Sequence, residues 1–180
     1  MTRKLLYLIP VAVLLVVAAY IHLGGAKAAG VVGDNTIVQR VGSQSIPHGI
    51  TTRIYWNTQL RDDDDWYNGT APGAIRVRYS GKYIVTVQSN WVNNDVGTRS
   101  VHLQRDASAT HPIQVLTGTN TRTPKWGAAM SLAWTGYLDA GDVLSFYVYQ
   151  TSGVTLGFGG QVRLPGTGSG NAELGITRIG

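Results

Sequence analysis

The chain contains no cysteine, and this absence alone excludes several kinds of protein. Disulfide scaffolds, thiolate metal sites and cysteine nucleophiles all need a residue that the 180 positions do not supply. Charged residues are also scarce, at 14% of the sequence against 43% hydrophobic residues, and glutamate occurs once, as Glu173. The fold must therefore be stabilised by a packed core or by association with other copies.

Clusters of basic residues are missing as well, although the formal net charge is +5. Beyond Arg3 and Lys4, the lysines and arginines are scattered singly, whereas a nucleic-acid footprint needs them grouped on one stripe or in one run. The sequence therefore predicts no specific binding of nucleic acid.

Catalytic patterns are also lacking. The four histidines show no metal-ligand spacing, and the chain has neither a phosphate-cradling glycine loop nor a nucleophile elbow. A carboxylate pair for glycoside hydrolysis can be drawn only from scattered aspartates that nothing in the sequence brings together. We predict a protein that is not an enzyme, and keep a glycan-cleaving enzyme as the third of three hypotheses.

The N-terminus carries a long hydrophobic run. Residues 5–23 are interrupted only by one proline and one histidine, and no charge occurs between Lys4 and Lys27. Such a run is long enough to cross a bilayer as a helix, with its basic flank on the cytoplasmic side. The small residues on either side of Lys27 also fit the cleavage site of an export signal. Residues 1–28 are thus predicted to form a hydrophobic helix that acts as a membrane anchor or an export signal, and a buried helix is the alternative.

The rest of the chain predicts β-structure. Residues 29–45 read as a linker that leads into a first strand near Thr36–Val41, and residues 46–180 alternate apolar and polar residues in short runs. Nearly every gap between the runs holds glycine, asparagine, aspartate or proline, which is turn chemistry. The main runs are Arg53–Trp56, Ala74–Tyr79, Tyr83–Val87, Ser100–Gln104, Ile113–Leu116, Ala128–Tyr137, Val143–Gln150, Val154–Phe158 and Leu174–Ile179. This pattern predicts an all-β, antiparallel sandwich or barrel.

The order of these runs and turns resembles the globular heads of complement component 1q and its tumour-necrosis-factor-like relatives. The resemblance rests on Arg53–Asn57, the turn and strand start Gly81-Lys82-Tyr83, Gly97–Leu103, Ala129–Trp134, the turn Ala140-Gly141-Asp142, and Leu174–Ile176. Val85 and Val87 stand where the family commonly has phenylalanine, which keeps that face apolar with less aromatic filling. The resemblance implies a jelly-roll sandwich, and cysteine-free domains of this kind are similar to ones in the tail, fibre or capsid-associated proteins of bacteriophages.

The resemblance also implies a homotrimer, because relatives assemble as tight trimers in which one sheet of each copy lines the threefold axis. The strand Leu144–Tyr149 is apolar on both faces, which a monomer exposing one sheet face would not tolerate. Aromatic side chains bury much area in such interfaces. We therefore predict Tyr83, Tyr147 and Tyr149 at the trimer interface; the alternative places all three in the core of a single copy.

Four adjacent carboxylates occur at Asp62, Asp63, Asp64 and Asp65. They repel one another unless water, a cation or arginine screens them, and some relatives in the family bind calcium, so the four are candidate calcium ligands. However, the spaced pattern of a dedicated calcium loop is absent, and consecutive carboxylates in an extended loop point to alternate sides. A solvated loop is the alternative, and no other cofactor is predicted.

Directly after this cluster, Trp66, Tyr67 and Asn68 combine two aromatic rings with acidic and amide neighbours. Ring faces beside such groups suit stacking against sugar rings, which predicts a glycan-binding loop. The alternative is an aromatic pair that folds back over the end of the sandwich.

Together these observations predict a non-catalytic, homotrimeric structural or binding module. The leading hypothesis is a virion surface, fibre or decoration protein that acts in assembly or receptor attachment, with other virion proteins, a glycan or a cell-surface receptor as partners. The membrane is a further partner through residues 5–23, with the C-terminal domain outside. The alternative is an exported bacterial cell-surface adhesin or lectin with the same fold.

Overall fold

The second of the chain's two units carries the structure described here. A computed structural model describes residues 34–106, 113–122, 128–160 and 170–179. The two units are Met1–Val31 and Val32–Gly180, and every described residue belongs to the latter. Within the described ranges, no helix is long and apolar enough to cross a membrane. The hydrophobic helix predicted for residues 1–28 lies outside them.

Twelve β-strands form the regular structure of the described residues, and every pairing between them is antiparallel. They are β1 (Asn35–Arg40), β2 (Gln44–Ile46), β3 (Thr52–Arg53), β4 (Thr58–Asp62), β5 (Ile75–Arg76), β6 (Gly81–Trp91), β7 (Thr98–Arg105), β8 (Gln114–Arg122), β9 (Ala128–Leu138), β10 (Val143–Gln150), β11 (Leu156–Phe158) and β12 (Ala172–Arg178). The prediction of an all-β, antiparallel domain is confirmed.

The larger sheet has seven strands in the order β2-β11-β6-β12-β1-β4, and β9 pairs with β6 along its whole length. Its first strand, β1, lies between β12 and β4 rather than at the margin. The sandwich therefore takes in residues from Asn35 onward, ahead of the predicted start at residue 46. The strand expected near Thr36–Val41 is an interior member of this sheet.

The smaller sheet has five strands in the order β3-β10-β7-β8, with β5 also paired to β10. Its centre is the long pairing of β10 with β7, in which Phe146 lies opposite Leu103. The side chains of both residues are fully buried. This sheet therefore forms the second layer over the same core.

The core lies between the two sheets and follows directly from the alternation in the sequence. Along β6, Tyr83, Val85, Val87 and Trp91 face inward and are buried, while the residues between them face out. Aromatic rings join the layers, because the ring of Phe146 on β10 lies 6.0 Å from that of Phe158 on β11, measured between centroids. Each large apolar side chain buried in this way contributes about 1.5–3 kcal/mol to stability.

The inner face of β7 carries an arginine at each end. Arg99 is fully buried, donates to the backbone oxygens of Asn94, Val96 and Thr98, and lies 5.7 Å from the ring of Trp91. Burial lowers the pKa of its guanidinium from the usual value, because desolvation penalises the charged form. These donated hydrogen bonds hold the loop before β7 in one conformation.

At the other end of β7, Arg105 lies 3.3 Å from the carboxylate of Asp142, and both side chains are buried. Asp142 also accepts a hydrogen bond from the backbone nitrogen of Asp139 at 2.9 Å. Gly141 completes this turn with a φ of 94°, in the left-handed region that favours glycine. The predicted turn Ala140-Gly141-Asp142 is thus stabilised from inside the sandwich.

One end of the sandwich, called the base below, holds both the entry and the exit of the described chain. The backbone nitrogen of Arg178 donates to the oxygen of Asp34 at 3.0 Å. The acidic segment begins at the same end, because Asp62 pairs with Thr36 at the start of β1. The predicted ligand loop therefore lies at the base, beside the entry of the chain.

Candidate functional site

The predicted glycan-binding loop is built around a buried tryptophan. Trp66 is 1% exposed and packs edge-on against Tyr83, with 5.4 Å between the ring centroids. Tyr67 is half-buried and donates from its hydroxyl to the oxygen of Trp56 at 2.7 Å, and burial raises its pKa. Asn68 is exposed and accepts two hydrogen bonds from Thr70.

This geometry corrects the assignment of Trp66 as a ligand-binding residue. Its ring fills the core, so no face is left for a sugar to stack on. Tyr67 is tied to the backbone, and only Asn68 of the predicted trio presents its side chain fully to solvent. The arrangement is that of the alternative, in which the aromatic pair folds back over the end of the sandwich.

The acidic cluster organises this same turn. Asp62 accepts hydrogen bonds from the backbone nitrogens of Trp66 at 2.8 Å and Tyr67 at 3.0 Å, and from the hydroxyl of Thr36 at 2.9 Å. A carboxylate placed in this way satisfies donors that would otherwise be left unpaired as the chain reverses. Asp62 therefore holds the loop onto β1.

The neighbouring carboxylates turn away from Asp62. Asp63 pairs with Arg61 at 2.9 Å and accepts from the backbone nitrogen of Asn35. Asp65 has a φ of 53°, which is unusual for a residue with a side chain, and its backbone oxygen accepts from Arg78. Within the described ranges, no group of three or more histidine and acidic side chains comes together. The predicted calcium ligands Asp62, Asp63, Asp64 and Asp65 thus do not converge on one point.

The predicted interface tyrosines separate into two environments. Tyr83 is fully buried in a single copy and donates from its hydroxyl to the oxygen of Tyr79. Burial raises the pKa of Tyr83 to about 12. This placement corrects its assignment to the trimer interface, because no surface of the ring is left for a neighbouring copy.

Tyr147 and Tyr149 project from β10 on the outer face of the five-stranded sheet, and both are half-buried. The Nε of Arg53 donates to the hydroxyl of Tyr147 at 3.1 Å, and its guanidinium lies 5.4 Å from the ring centroid. Arg53 also forms an ion pair with Asp106, which accepts from the hydroxyl of Ser145 at 2.7 Å. Arg53, Asp106, Ser145 and Tyr147 are called the outer cluster below.

His102 continues this row of planar groups across the sheet. It is the cross-strand partner of Tyr147 on one side and of Gly118 on the other. Its imidazole lies over the glycine, since a Cβ added at Gly118 would stand 2.4 Å from Nδ1 of His102. Guanidinium, phenol and imidazole thus follow one another on three neighbouring strands.

The outer face of the seven-stranded sheet has a different chemistry. On β9 the outward residues are Ala129, Ser131, Ala133, Thr135 and Tyr137. At the outward positions of β1, β6, β9 and β12, only two side chains are charged, those of Lys82 and Glu173. We call this surface the neutral face.

The two margins of the seven-stranded sheet also differ. At one margin, β4 is short and carries Arg61 and Asp62. At the other, β9 has eleven residues without a charge or a proline, and in the described part of the chain it pairs with β6 alone. Edge strands of folded proteins are usually shortened, charged or covered. The margin of β9 approaches β8 but forms no ladder with it in the described residues, so it is a candidate surface for a partner.

These two layers, their strand order and the neutral face can be set against known proteins. The zebrafish complement 1qA globular domain matches with a TM-score of 0.54 and 13% identity, over 82% of this chain and 98% of that one. The Eiger TNF of S. frugiperda matches with a TM-score of 0.54 and 17% identity, over 83% and 94%. The fold is a complement-1q- and TNF-like jelly roll. The predicted resemblance is confirmed at the level of fold.

The same jelly roll occurs in a phage protein, the PRD1 vertex protein P5, which matches with a TM-score of 0.58 and 15% identity over 84% of this chain and 100% of that one. No model of a protein family matches the sequence. A curated relative, the uncharacterized protein L688 of Acanthamoeba polyphaga mimivirus, is 31% identical over 119 residues, which is 64% of this chain. The chain spans half the length of that relative.

The neutral face and the outer cluster were not found by reading the sequence. A signal for the first was present, because β9 alternates small polar or alanine residues with apolar ones over eleven positions without a charge. The outer cluster gave none, since Arg53 and Asp106 are far apart in the chain and meet only across the jelly roll.

Proposed function

We propose that this jelly roll is a non-catalytic, homotrimeric structural or attachment module displayed on a virion. The observation that carries the proposal is the neutral face together with the bare margin of β9. Much of this surface is made of alanine, serine, threonine and glycine, with Ile84 and Tyr137 projecting from it. It is easily dehydrated, since few charges have to leave water. Its lack of charge suits contact with another copy of the chain.

A threefold ring uses such surfaces in a particular way. In a cyclic trimer the interface is heterologous, so one surface of each copy meets a different surface of the next. The neutral face and the margin of β9 adjoin each other through Ala133 and Tyr137, and they provide two distinct surfaces of this kind. The proposal places the seven-stranded sheet at the threefold axis, so it moves Tyr147 and Tyr149 from the interface predicted for them to the outward face.

The virion role is supported by the kinds of protein that share the fold or the sequence. One structural neighbour is a phage vertex protein, and the curated relative belongs to a giant virus. Residues 1–28 complete the proposal as a membrane anchor or export signal that leaves the jelly roll outside.

The trimer is tested by the mass of the purified protein in light scattering, for the parent chain and two matched variants. We expect three copies for the parent and for Asn120→Arg, which adds a charge on the outer face of the five-stranded sheet. Ala133→Arg places the same charge in the neutral face and should give single copies. A parent mass of one copy, or three copies in Ala133→Arg, would count against the proposal.

An exported bacterial adhesin or lectin with the same jelly roll is the second candidate. It is favoured by the half-exposed aromatic and planar groups of Tyr147, Tyr149 and His102 on the outward face. Neighbouring genes separate the two, since capsid or tail genes support the virion and secretion genes support the adhesin.

A further inference from the structure

The ring of Tyr149 stands between small side chains on the outer face of the five-stranded sheet. Its cross-strand partner on β7 is Ser100, and the next residue along that row is Asn120 on β8. On the other side, β3 begins at Thr52, which pairs with Val148. Because the pairing is antiparallel, the position beside Tyr149 is Thr51. No large side chain occupies these flanking positions. We call the row of Thr51, Ser100 and Asn120, which borders the phenol ring, the shelf.

Two polar groups at this shelf have no hydrogen-bond partner in the described part of the chain. Among the described residues, the hydroxyl of Tyr149 and the imidazole of His102 form no hydrogen bond. The outer cluster next to them is fully engaged, because Asp106 accepts from both Arg53 and Ser145. The free donors and acceptors therefore belong to the two residues that border the shelf.

The charge of the region narrows the class of ligand. Beside the shelf, Asp106 neutralises the charge of Arg53, so this pair has no net charge to attract phosphates or acidic chains. A half-exposed ring with adjacent hydrogen-bonding tips matches a sugar, which presents an apolar ring face and hydroxyls at its edge.

We propose that Tyr149 and His102 form a binding site for a neutral pyranose oligosaccharide, with Tyr149 stacking on one sugar ring and His102 bonding to its hydroxyls. Tyr147 borders the site and is held in place by Arg53. The outward display of three such sites rests on the proposed trimer, but binding itself needs only one copy. Threefold display multiplies weak single-site contacts.

The test uses maltohexaose, cellohexaose and mannohexaose as probes, with saturation-transfer NMR on the intact protein at millimolar sugar. We expect transfer to the ring protons of at least one hexaose. Tyr149→Ala should weaken that binding about tenfold or more, and Tyr149→Phe, which keeps the ring, should weaken it by less. Tyr79→Ala removes an exposed ring at the base and should leave binding unchanged.

Absence of transfer from all three hexaoses would overturn the site, as would binding that Tyr149→Ala and Tyr149→Phe both leave intact. Loss of binding in Tyr79→Ala would also overturn the site. The mass of each sample is measured in parallel. Sugar binding by single copies supports the site and contradicts the trimer, whereas a trimer without sugar binding contradicts the site alone.

Discussion

The two outer faces of the sandwich differ in chemistry, although the strands of both sheets alternate between residues that face the same core and residues that face out. The face of the five-stranded sheet is occupied by Arg53, Asp106 and Tyr147, whose polar atoms are satisfied within one copy. The face of the seven-stranded sheet carries small uncharged residues such as Ala133 and Gly175, and its acid Glu173 accepts a hydrogen bond from Gln39. A face that satisfies its own polar groups is stable in water, whereas a neutral face gains by meeting another surface.

The contrast therefore assigns different tasks to the two sheets. In the proposed trimer the seven-stranded sheet serves association between copies, and the five-stranded sheet stays open to solvent and to the proposed ligand. Substitutions placed at equivalent positions on the two faces separate these tasks.

A pair of glycines gives the clearest separation. Gly175→Val adds an isopropyl group to the centre of the neutral face, where a Cβ would stand 3.0 Å from the hydroxyl of Thr86. The strand accepts valine, because Gly175 has no left-handed backbone angle, so we expect a folded single copy in light scattering. The trimer should be lost entirely.

The matched change on the other face is Gly118→Val. Its Cβ would stand 2.4 Å from His102, which must rotate away, at a cost of about 1–3 kcal/mol in the free energy of unfolding. The mass should stay at three copies. A trimer in Gly175→Val, or single copies in Gly118→Val, would reverse our assignment of the two faces.

Removing the acceptor of the outer cluster should cost stability without changing assembly. Asp106→Ala leaves donors of Arg53 and Ser145 without a partner, and we expect the free energy of unfolding to fall by about 1–3 kcal/mol. Urea denaturation measures this change. The control is Asp95→Ala at an exposed position, which should change stability by less than about 0.5 kcal/mol. Dissociation of Asp106→Ala would show that this face also takes part in assembly.

The core between the faces predicts a dependence on alkaline pH. Burial raises the pKa of Tyr83 to about 12, above the value of about 10 for an exposed tyrosine, because the phenolate is disfavoured inside the protein. The unfolded chain therefore loses this proton first, and native stability falls as pH rises through the interval between those values. Tyr83→Phe should show a shallower decline in urea denaturation. Equal slopes for the two proteins would contradict the assigned burial.

The smallest effect is expected at the rim of the neutral face. Tyr137 is 58% exposed in a single copy and lies beside Lys82. Tyr137→Ser should weaken the trimer about tenfold, which corresponds to about 1.4 kcal/mol, as measured by dilution in light scattering. Tyr55→Ser, at another exposed tyrosine outside this face, should leave the dissociation curve unchanged.

Much of the fold could be predicted from the sequence, because alternation and turn residues act locally. The run Val143–Gln150 coincides with β10, and the glycine before Tyr83 coincides with the start of β6. The limits of β6 were harder to find, since the strand continues four residues past the predicted end at Val87. Polar residues such as Gln88 and Asn90 face outward there and hide the inward Ser89 and Trp91.

The candidate sites were less predictable, because they depend on which side of a strand faces the core. Tyr83 and Tyr147 stand in similar alternating runs, yet one points inward and the other outward. Trp66 follows four aspartates and looks exposed, but the hydrogen bonds of Asp62 to the backbone fold it inward. Local periodicity does not predict which way these side chains point, because their orientation depends on contacts between distant segments.

The uncovered margin of β9 has a consequence for how the protein is made. If the proposed trimer forms, a newly folded copy that has not yet met its neighbours offers the backbone donors and acceptors of alternate residues of β9 to any extended strand nearby. Unassembled copies can then pair edge to edge through β9 and polymerise into fibrils, and this hazard grows when assembly is slow. Rapid synthesis at a high local concentration would shorten the lifetime of these unassembled copies.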